Sequence, residues 1–232
     1  MSKFWNFRSR TNDAGETSHE LELFGEITKT KWFDDDVTPD MFRAELEQCV
    51  GDITVWINSP GGECVSASVI YSMLREYNGK VTIKITGIAA SAASVVAMAG
   101  DTVLMAPTAL MMIHNPTMEA WGDHNTMRQA MEALDEVKES IINAYELKTG
   151  LSRVRISHML EEETYMAVEK AMEYGFADGM MGYESENSKA YTYNVAEIEK
   201  FTNQIAAKAR KKDSGAKVSD LKARLYERLL RY

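Results

Sequence analysis

Three short segments carry residues able to activate a hydroxyl and to hold the oxyanion that its attack creates. Gly87-Ile88-Ala89-Ala90-Ser91-Ala92-Ala93-Ser94 puts Ser91 where a strand pattern gives way to a small-residue helix. At such a junction the hydroxyl projects from a tight turn, and the first N–H groups of the helix lack intrahelical acceptors. Those groups and the positive helix end favour developing negative charge. Ala89, Ala90, Ala92 and Ala93 leave room for a peptide. Taken alone, small residues at a helix start more often serve packing or capping. Asn58-Ser59-Pro60-Gly61-Gly62 adds paired glycines between a strand and a helix. Such a turn can point N–H groups at one anion, and a tight turn needing positive φ accounts for it equally well. His114 ends the apolar run Leu110-Met111-Met112-Ile113 and precedes Asn115-Pro116. The carboxyl end of a parallel strand is where α/β sites form, and an imidazole there is a natural proton acceptor for a hydroxyl nucleophile. Together the three point to acyl transfer. His19, His124 and His158 fall in a polar arm and on helix surfaces, where they are expected to be solvated.

The elements that must position these residues read as α/β. Apolar Leu21 and Leu23 open a first strand, and Thr38-Pro39-Asp40 starts a helix with Phe42, Leu46 and Cys49 on its apolar face. Residues 53–57 form a β-branched run into the glycine turn, and Val65, Val69, Ile70, Met73, Leu74 and Tyr77 recur at helical spacing. Val81, Ile83 and Ile85 alternate until Gly87 breaks the strand; a compact helix follows over 91–99, then strands over 102–105 and 109–113. Strands separated by helices of this length pair in parallel. One long helix spans 123–148 with Met127, Met131, Leu134, Val137, Ile141 and Tyr145 on a stripe. Two shorter helical stretches bracket Glu161-Glu162-Glu163-Thr164-Tyr165. The expected organisation is an N-terminal arm over 1–19, an α/β domain over 20–183 and a basic helical extension over 184–232.

Bulk properties narrow the class. The chain has 232 residues, 45% of them hydrophobic, and a formal charge of −9 from 35 acidic and 26 basic side chains. That balance argues against nucleic acid as the main partner. Residues 200–232 hold ten basic and three acidic side chains, so this segment carries +7 and the remainder −16, an asymmetry typical of an interaction tail or a solvated basic helix. Cys49 and Cys64 lack the spacing of a disulfide framework or a zinc site. The uncharged run over 85–100 is too short to span a bilayer, and the first residues have no secretory h-region. An intracellular protein acting in the cytoplasm, with no membrane partner, is the expectation.

The three segments, in this order and spacing, resemble the Clp protease proteolytic subunit family over residues 20–182. The Ala-Ala-Ser-Ala-Ala-Ser version and the opening Lys3-Phe4-Trp5-Asn6-Phe7 resemble more closely its phage relatives, the head maturation (prohead) proteases. The resemblance implies an α/β fold of the crotonase/Clp-protease-like ββα spiral type, a long protruding helix that mediates stacking of rings, and a homo-oligomer. It implies a serine endopeptidase with Ser91 as nucleophile, His114 as base and the N–H groups of Gly62 and Ala92 as oxyanion hole. Gly61, Asn115 and Pro116 would lie along an extended protein or peptide substrate, and no cofactor or metal is called for. The position of the family's acid is Glu163, one methylene longer than the usual aspartate but able to orient a histidine in the same way. Glu162 stays open as a substitute, and Asp178 reads as a turn or cap residue. No P-loop is present, so an unfolding motor would be a separate chain. Competing readings are a crotonase-type acyl-CoA enzyme, a serine–lysine peptidase using Lys80 or Lys84, and a capsid assembly protein that keeps only the fold.

Overall fold

The computed structural model describes residues 4–11, 17–27 and 39–182; the expected basic extension lies outside the described residues. An eight-stranded mixed sheet comprises β1 (Trp5–Thr11), β2 (Thr17–Phe24), β3 (Ile53–Ser59), β4 (Val81–Ala90), β5 (Thr102–Met105), β6 (Leu110–Ile113), β7 (Thr164–Met166) and β8 (Gly179–Met180). The main path is β1-β2-β3-β4-β5-β8, and β6 pairs with β4 and β7. Only β1–β2 and β6–β7 are antiparallel. The helices are α1 (Pro39–Glu47), α2 (Cys64–Arg75), α3 (Ala92–Ala97), α4 (His124–Thr149), α5 (Arg153–Glu161) and α6 (Val168–Glu173). Among the described residues no helix is long and apolar enough to cross a membrane.

Period-two alternation sets the buried face. Ile53, Val55 and Ile57 on β3 and Val81, Ile83 and Ile85 on β4 are buried, with half-buried Thr54, Trp56, Thr82 and Lys84 between them. The parallel register puts Lys84 beside Trp56, with its ammonium 4.8 Å from the ring centroid. The six residues of α3, Ala-Ala-Ser-Val-Val-Ala, are all buried. A helix enclosed on every side has no use for a polar face, which is why its sequence shows no amphipathic stripe.

Strand β4 does not stop at Gly87, as its composition suggests; it runs to Ala90. Its register with β3 shifts from Ile57↔Ile85 to Ser59↔Ala89, so Asn58 faces the three residues Thr86, Gly87 and Ile88. The Asn58 side-chain oxygen fills this bulge and accepts from the Ile88 N–H at 3.2 Å. A Cβ at position 87 would come within 2.5 Å of that oxygen, so any larger residue there displaces the Asn58 side chain from the bulge. Bulges re-aim strands: before this one β4 pairs with β5, after it with β6.

The expected N-terminal arm is corrected over its described residues. Trp5–Thr11 pairs antiparallel with Thr17–Phe24, and Trp5 is 2% exposed. Trp5 and Phe7 meet Phe42 of α1 edge-on at 5.4 and 5.3 Å. Their alternation is hidden by Arg8 and Arg10, which face Glu22 and Glu20 on the other side of the pair. His19, expected to be solvated, is buried: its Nε2 accepts from the Val50 N–H at 3.2 Å and its Nδ1 lies 2.9 Å from Ser9 Oγ. His124 and His158 are exposed as expected. On α4 the apolar stripe is buried only at Ile141 and Tyr145; Met127 and Met131 are 38% and 66% exposed. Replacing Trp5 with alanine is expected to destabilise the chain by about 3–5 kcal/mol, the usual cost of emptying a buried aromatic site. Equilibrium denaturation measures this, and an unchanged midpoint would return the segment to a free arm.

Candidate active site

The site is assembled by strand ends. Parallel pairing of Ile88, Ala89 and Ala90 with Leu110, Met111 and Met112 brings the chain just beyond β4 alongside the end of β6. Ser91 continues the ladder by donating its N–H to the Met112 carbonyl at 2.9 Å. Its own Oγ then lies 2.8 Å from His114 Nε2. The helix expected to begin at Ser91 starts one residue later, and Ser91 itself adopts φ +53° and ψ −126°. A non-glycine residue rarely takes positive φ, and such strain is kept where the surrounding contacts over-determine it. Here it swings the hydroxyl off the strand direction toward the imidazole.

Gly61 and Gly62 lie against this turn, with φ of +95° and +140°. A Cβ on Gly61 would come 2.7 Å from Ser91 Cβ and 2.9 Å from the Ala92 nitrogen, so only glycine admits this approach. One edge of the Gly61-Gly62-Glu63 segment is already taken. Ile27 donates its N–H to the Gly61 carbonyl at 2.8 Å and accepts from Glu63 N–H at 2.7 Å. Gly62 points the other way along that bridge. The Gly62 and Ala92 N–H groups have no acceptor among the described residues. Glu63 is committed as the cap of α2, accepting from Val65 and Ser66.

Glu163 reaches the site through β7. It directly precedes that strand, whose antiparallel register with β6 (Met112↔Tyr165, Ile113↔Thr164) ends one residue short of both His114 and Glu163. Glu163 also takes a positive φ of +50°. Among the described residues its carboxylate accepts from Tyr165 Oη at 3.1 Å, and the only hydrogen-bond partner of the His114 ring is Ser91. Glu163 therefore acts on the imidazole through its charge. Burial lowers the His114 pKa below the ordinary 6.5, and the Glu163 carboxylate partly opposes that shift. A neutral ring that accepts at Nε2 carries its proton on Nδ1. Glu162 faces His158 at 3.3 Å on the surface, and Asp178 accepts from Val103 N–H and Lys148. Asn115 and Pro116 follow directly, half-buried, with the Asn115 N–H on the Leu160 carbonyl at 3.1 Å. Lys84 sits over Trp56 and Lys80 precedes β4. Six residues of strand lie between Lys84 and Ser91, a span of about 20 Å at the usual rise, so the serine–lysine alternative falls.

Two contributors carry no signal in the sequence: the Met112 carbonyl, which is backbone, and the Ser94 hydroxyl, 2.5 Å from the Ser91 carbonyl. Ser94 stands within the serine segment but looks like any other small residue of a buried helix.

Residues 17–184 match the Clp protease family. The chain is 32% identical over 156 residues, 63% of this chain and 79% of the relative, to the ATP-dependent Clp protease proteolytic subunit of Ligilactobacillus salivarius. It is 30% identical over 139 residues to that of Deinococcus radiodurans, covering 59% of this chain and 68% of the relative. With the subunit of Oryza sativa subsp. indica it shares 29% over 145 residues, 61% and 67% of the two chains. The chain belongs to the Clp protease family.

A lowered His114 pKa fixes the sign of the pH response. The base form must be neutral, so kcat/KM for a peptide is expected to rise with pH through a midpoint below 6.5 and then level off. In Glu163→Gln the opposing charge is gone, and the midpoint is expected to move further toward acid. A midpoint moving upward in that variant would contradict the electrostatic role of Glu163.

Proposed function

We propose that the chain is a serine endopeptidase that hydrolyses protein or peptide substrates through an acyl-enzyme. Ser91 Oγ attacks the scissile carbonyl while His114 Nε2 takes its proton. The Gly62 and Ala92 N–H groups receive the tetrahedral oxyanion. His114 gives its proton to the leaving amine, and water, deprotonated by the same nitrogen, releases the acyl group. Glu163 stabilises the transient imidazolium by its charge from the turn before β7. An extended substrate lies between Gly61-Gly62 and Asn115-Pro116, using the Gly62 edge that Ile27 leaves open. The observation that carries this reading is the 2.8 Å contact between His114 Nε2 and the hydroxyl of a serine held at positive φ.

Assembly into stacked rings is part of the proposal. Its support is the exposed Met127 and Met131 on the first half of α4, together with the names of the relatives as proteolytic subunits of a larger enzyme. The natural role we favour is processing of phage scaffold and capsid proteins during head maturation, in the host cytoplasm or the procapsid. It is supported by the Ala-Ala-Ser-Ala-Ala-Ser segment, the Lys3-Phe4-Trp5-Asn6-Phe7 opening and a +7 segment over 200–232 suited to docking on an acidic partner.

Ser91→Ala is expected to lose peptide cleavage by about a millionfold, the scale seen when a serine nucleophile is removed. A fluorogenic-peptide assay reads this, and full activity in the variant overturns the assignment. Scaffold and capsid precursors cut by the wild type and left intact by Ser91→Ala support the narrower role. Peptide cleavage with both precursors untouched removes that role and leaves the peptidase.

A further inference from the structure

Two buried hydroxyls, Ser94 on α3 and Tyr145 on α4, bond to each other behind Ser91 and are assigned no step of the proposed reaction. Ser94 is fully buried and Tyr145 is 1% exposed. Ser94 Oγ lies 2.5 Å from the Ser91 carbonyl oxygen and 2.8 Å from Tyr145 Oη. A carbonyl only accepts, so the single Ser94 hydroxyl proton goes to it, and Tyr145 must supply its own proton to Ser94 Oγ. Donation runs one way, from Tyr145 to Ser94 to the Ser91 carbonyl. Burial holds the Tyr145 pKa far above its ordinary value, so it stays a donor throughout the working range. The Tyr145 ring is itself seated against Phe176, with centroids 5.6 Å apart.

The carbonyl at the end of this chain shares a peptide group with the Ala92 N–H. That group is planar and trans, so its C=O and N–H point in opposite directions as one rigid unit. Fixing the Ser91 oxygen therefore fixes the direction of the Ala92 hydrogen. Otherwise the carbonyl is restrained by the Ser94 N–H at 3.0 Å, one tight turn at the mouth of a six-residue helix. The strained φ and ψ of Ser91 favour rotation of this plane away from its position. A second donor from the Ser94 hydroxyl opposes that rotation, and hydrogen bonding to the C=O polarises the peptide and strengthens its N–H as a donor.

We propose that Tyr145 and Ser94 are positioning residues, a buried two-hydroxyl relay that locks the Ser91–Ala92 peptide plane and aims the Ala92 N–H at the oxyanion. The long helix α4 thereby sets the turnover of a site that none of its residues touches. This rests on the reading of Ser91 as nucleophile. It differs from mere packing in where the loss must fall: the aimed N–H matters in the transition state and little in substrate binding.

The test compares kcat and KM on a fluorogenic peptide for wild type, Ser94→Ala, Tyr145→Phe, the double variant and Ser91→Ala, with thermal unfolding to establish that each is folded. Deleting an oxyanion donor outright costs on the order of a hundred- to a thousandfold in kcat, so misaiming one in Ser94→Ala is expected to cost about ten- to a hundredfold with KM within about twofold. Tyr145→Phe leaves Ser94 in place and is expected to lose about three- to tenfold. The double variant is expected to be no slower than Ser94→Ala, because groups acting in series are not additive. The pH midpoint of the ascending limb stays put, since His114 is untouched. A kcat for Ser94→Ala within about twofold of wild type, a loss confined to KM, or a double variant equal to the product of the singles overturns the relay. If Ser94→Ala does not fold, Tyr145→Phe decides alone, and a kcat within about twofold of wild type overturns it. Activity retained by Ser91→Ala overturns the nucleophile instead; an inactive Ser91→Ala beside a Ser94→Ala with wild-type kcat overturns only the relay.

Discussion

The geometry of the Ser91–His114 pair depends on one backbone hydrogen bond, from the Ser91 N–H to the Met112 carbonyl at 2.9 Å. It carries the β4–β6 ladder one residue past the strand, so the chain leaving β4 and the chain leaving β6 stay in register where the reactive side chains begin. That ladder exists because β4 changes partner. The bulge at Thr86-Gly87-Ile88, filled by Asn58, turns the strand away from β5 and onto β6. Asn58 thus links the glycine turn to the serine strand before either reaches the site. The residues after it, Ser59-Pro60-Gly61, bring the Gly61 backbone against Ser91 and the Ala92 nitrogen.

The electrostatics of the site are a balance between burial and one carboxylate. Burial alone favours the neutral imidazole that a base requires, and the price is a costlier imidazolium after proton transfer. The charge of Glu163, the residue just before β7, opposes part of that shift. Strain is kept at two positions: the non-glycine residues at positive φ among the described residues are Ser91 and Glu163.

Much of this was legible in the sequence because the signals were local. The turn formers of Asn58-Ser59-Pro60-Gly61-Gly62, the strand-to-helix switch at Ser91 and the apolar run ending at His114 each reflect backbone requirements met by neighbouring residues. The parts that local signals miss depend on contacts between distant segments. Gly87 has the composition of a strand breaker, yet it is the close-approach point for Asn58, nearly thirty residues earlier. Trp5 and Phe7 alternate correctly, but the arginines between them are matched by glutamates on β2, so polarity masked a paired strand. His19 looked solvated because its partners, Ser9 and the Val50 N–H, come from two other segments. Ser94 and Tyr145 were out of reach for the same reason: a serine in a small-residue helix and a tyrosine on an apolar stripe carry no mark of each other.

The most direct measurement of the central claim is peptide mapping by mass spectrometry after exposure to a fluorophosphonate, which captures a serine only where a base and an oxyanion site have made it nucleophilic. The account expects a single adduct, on Ser91, formed by the wild-type chain and absent when His114 is replaced by alanine. An adduct that persists without the imidazole, or one found on another serine while Ser91 stays unmodified, would contradict it.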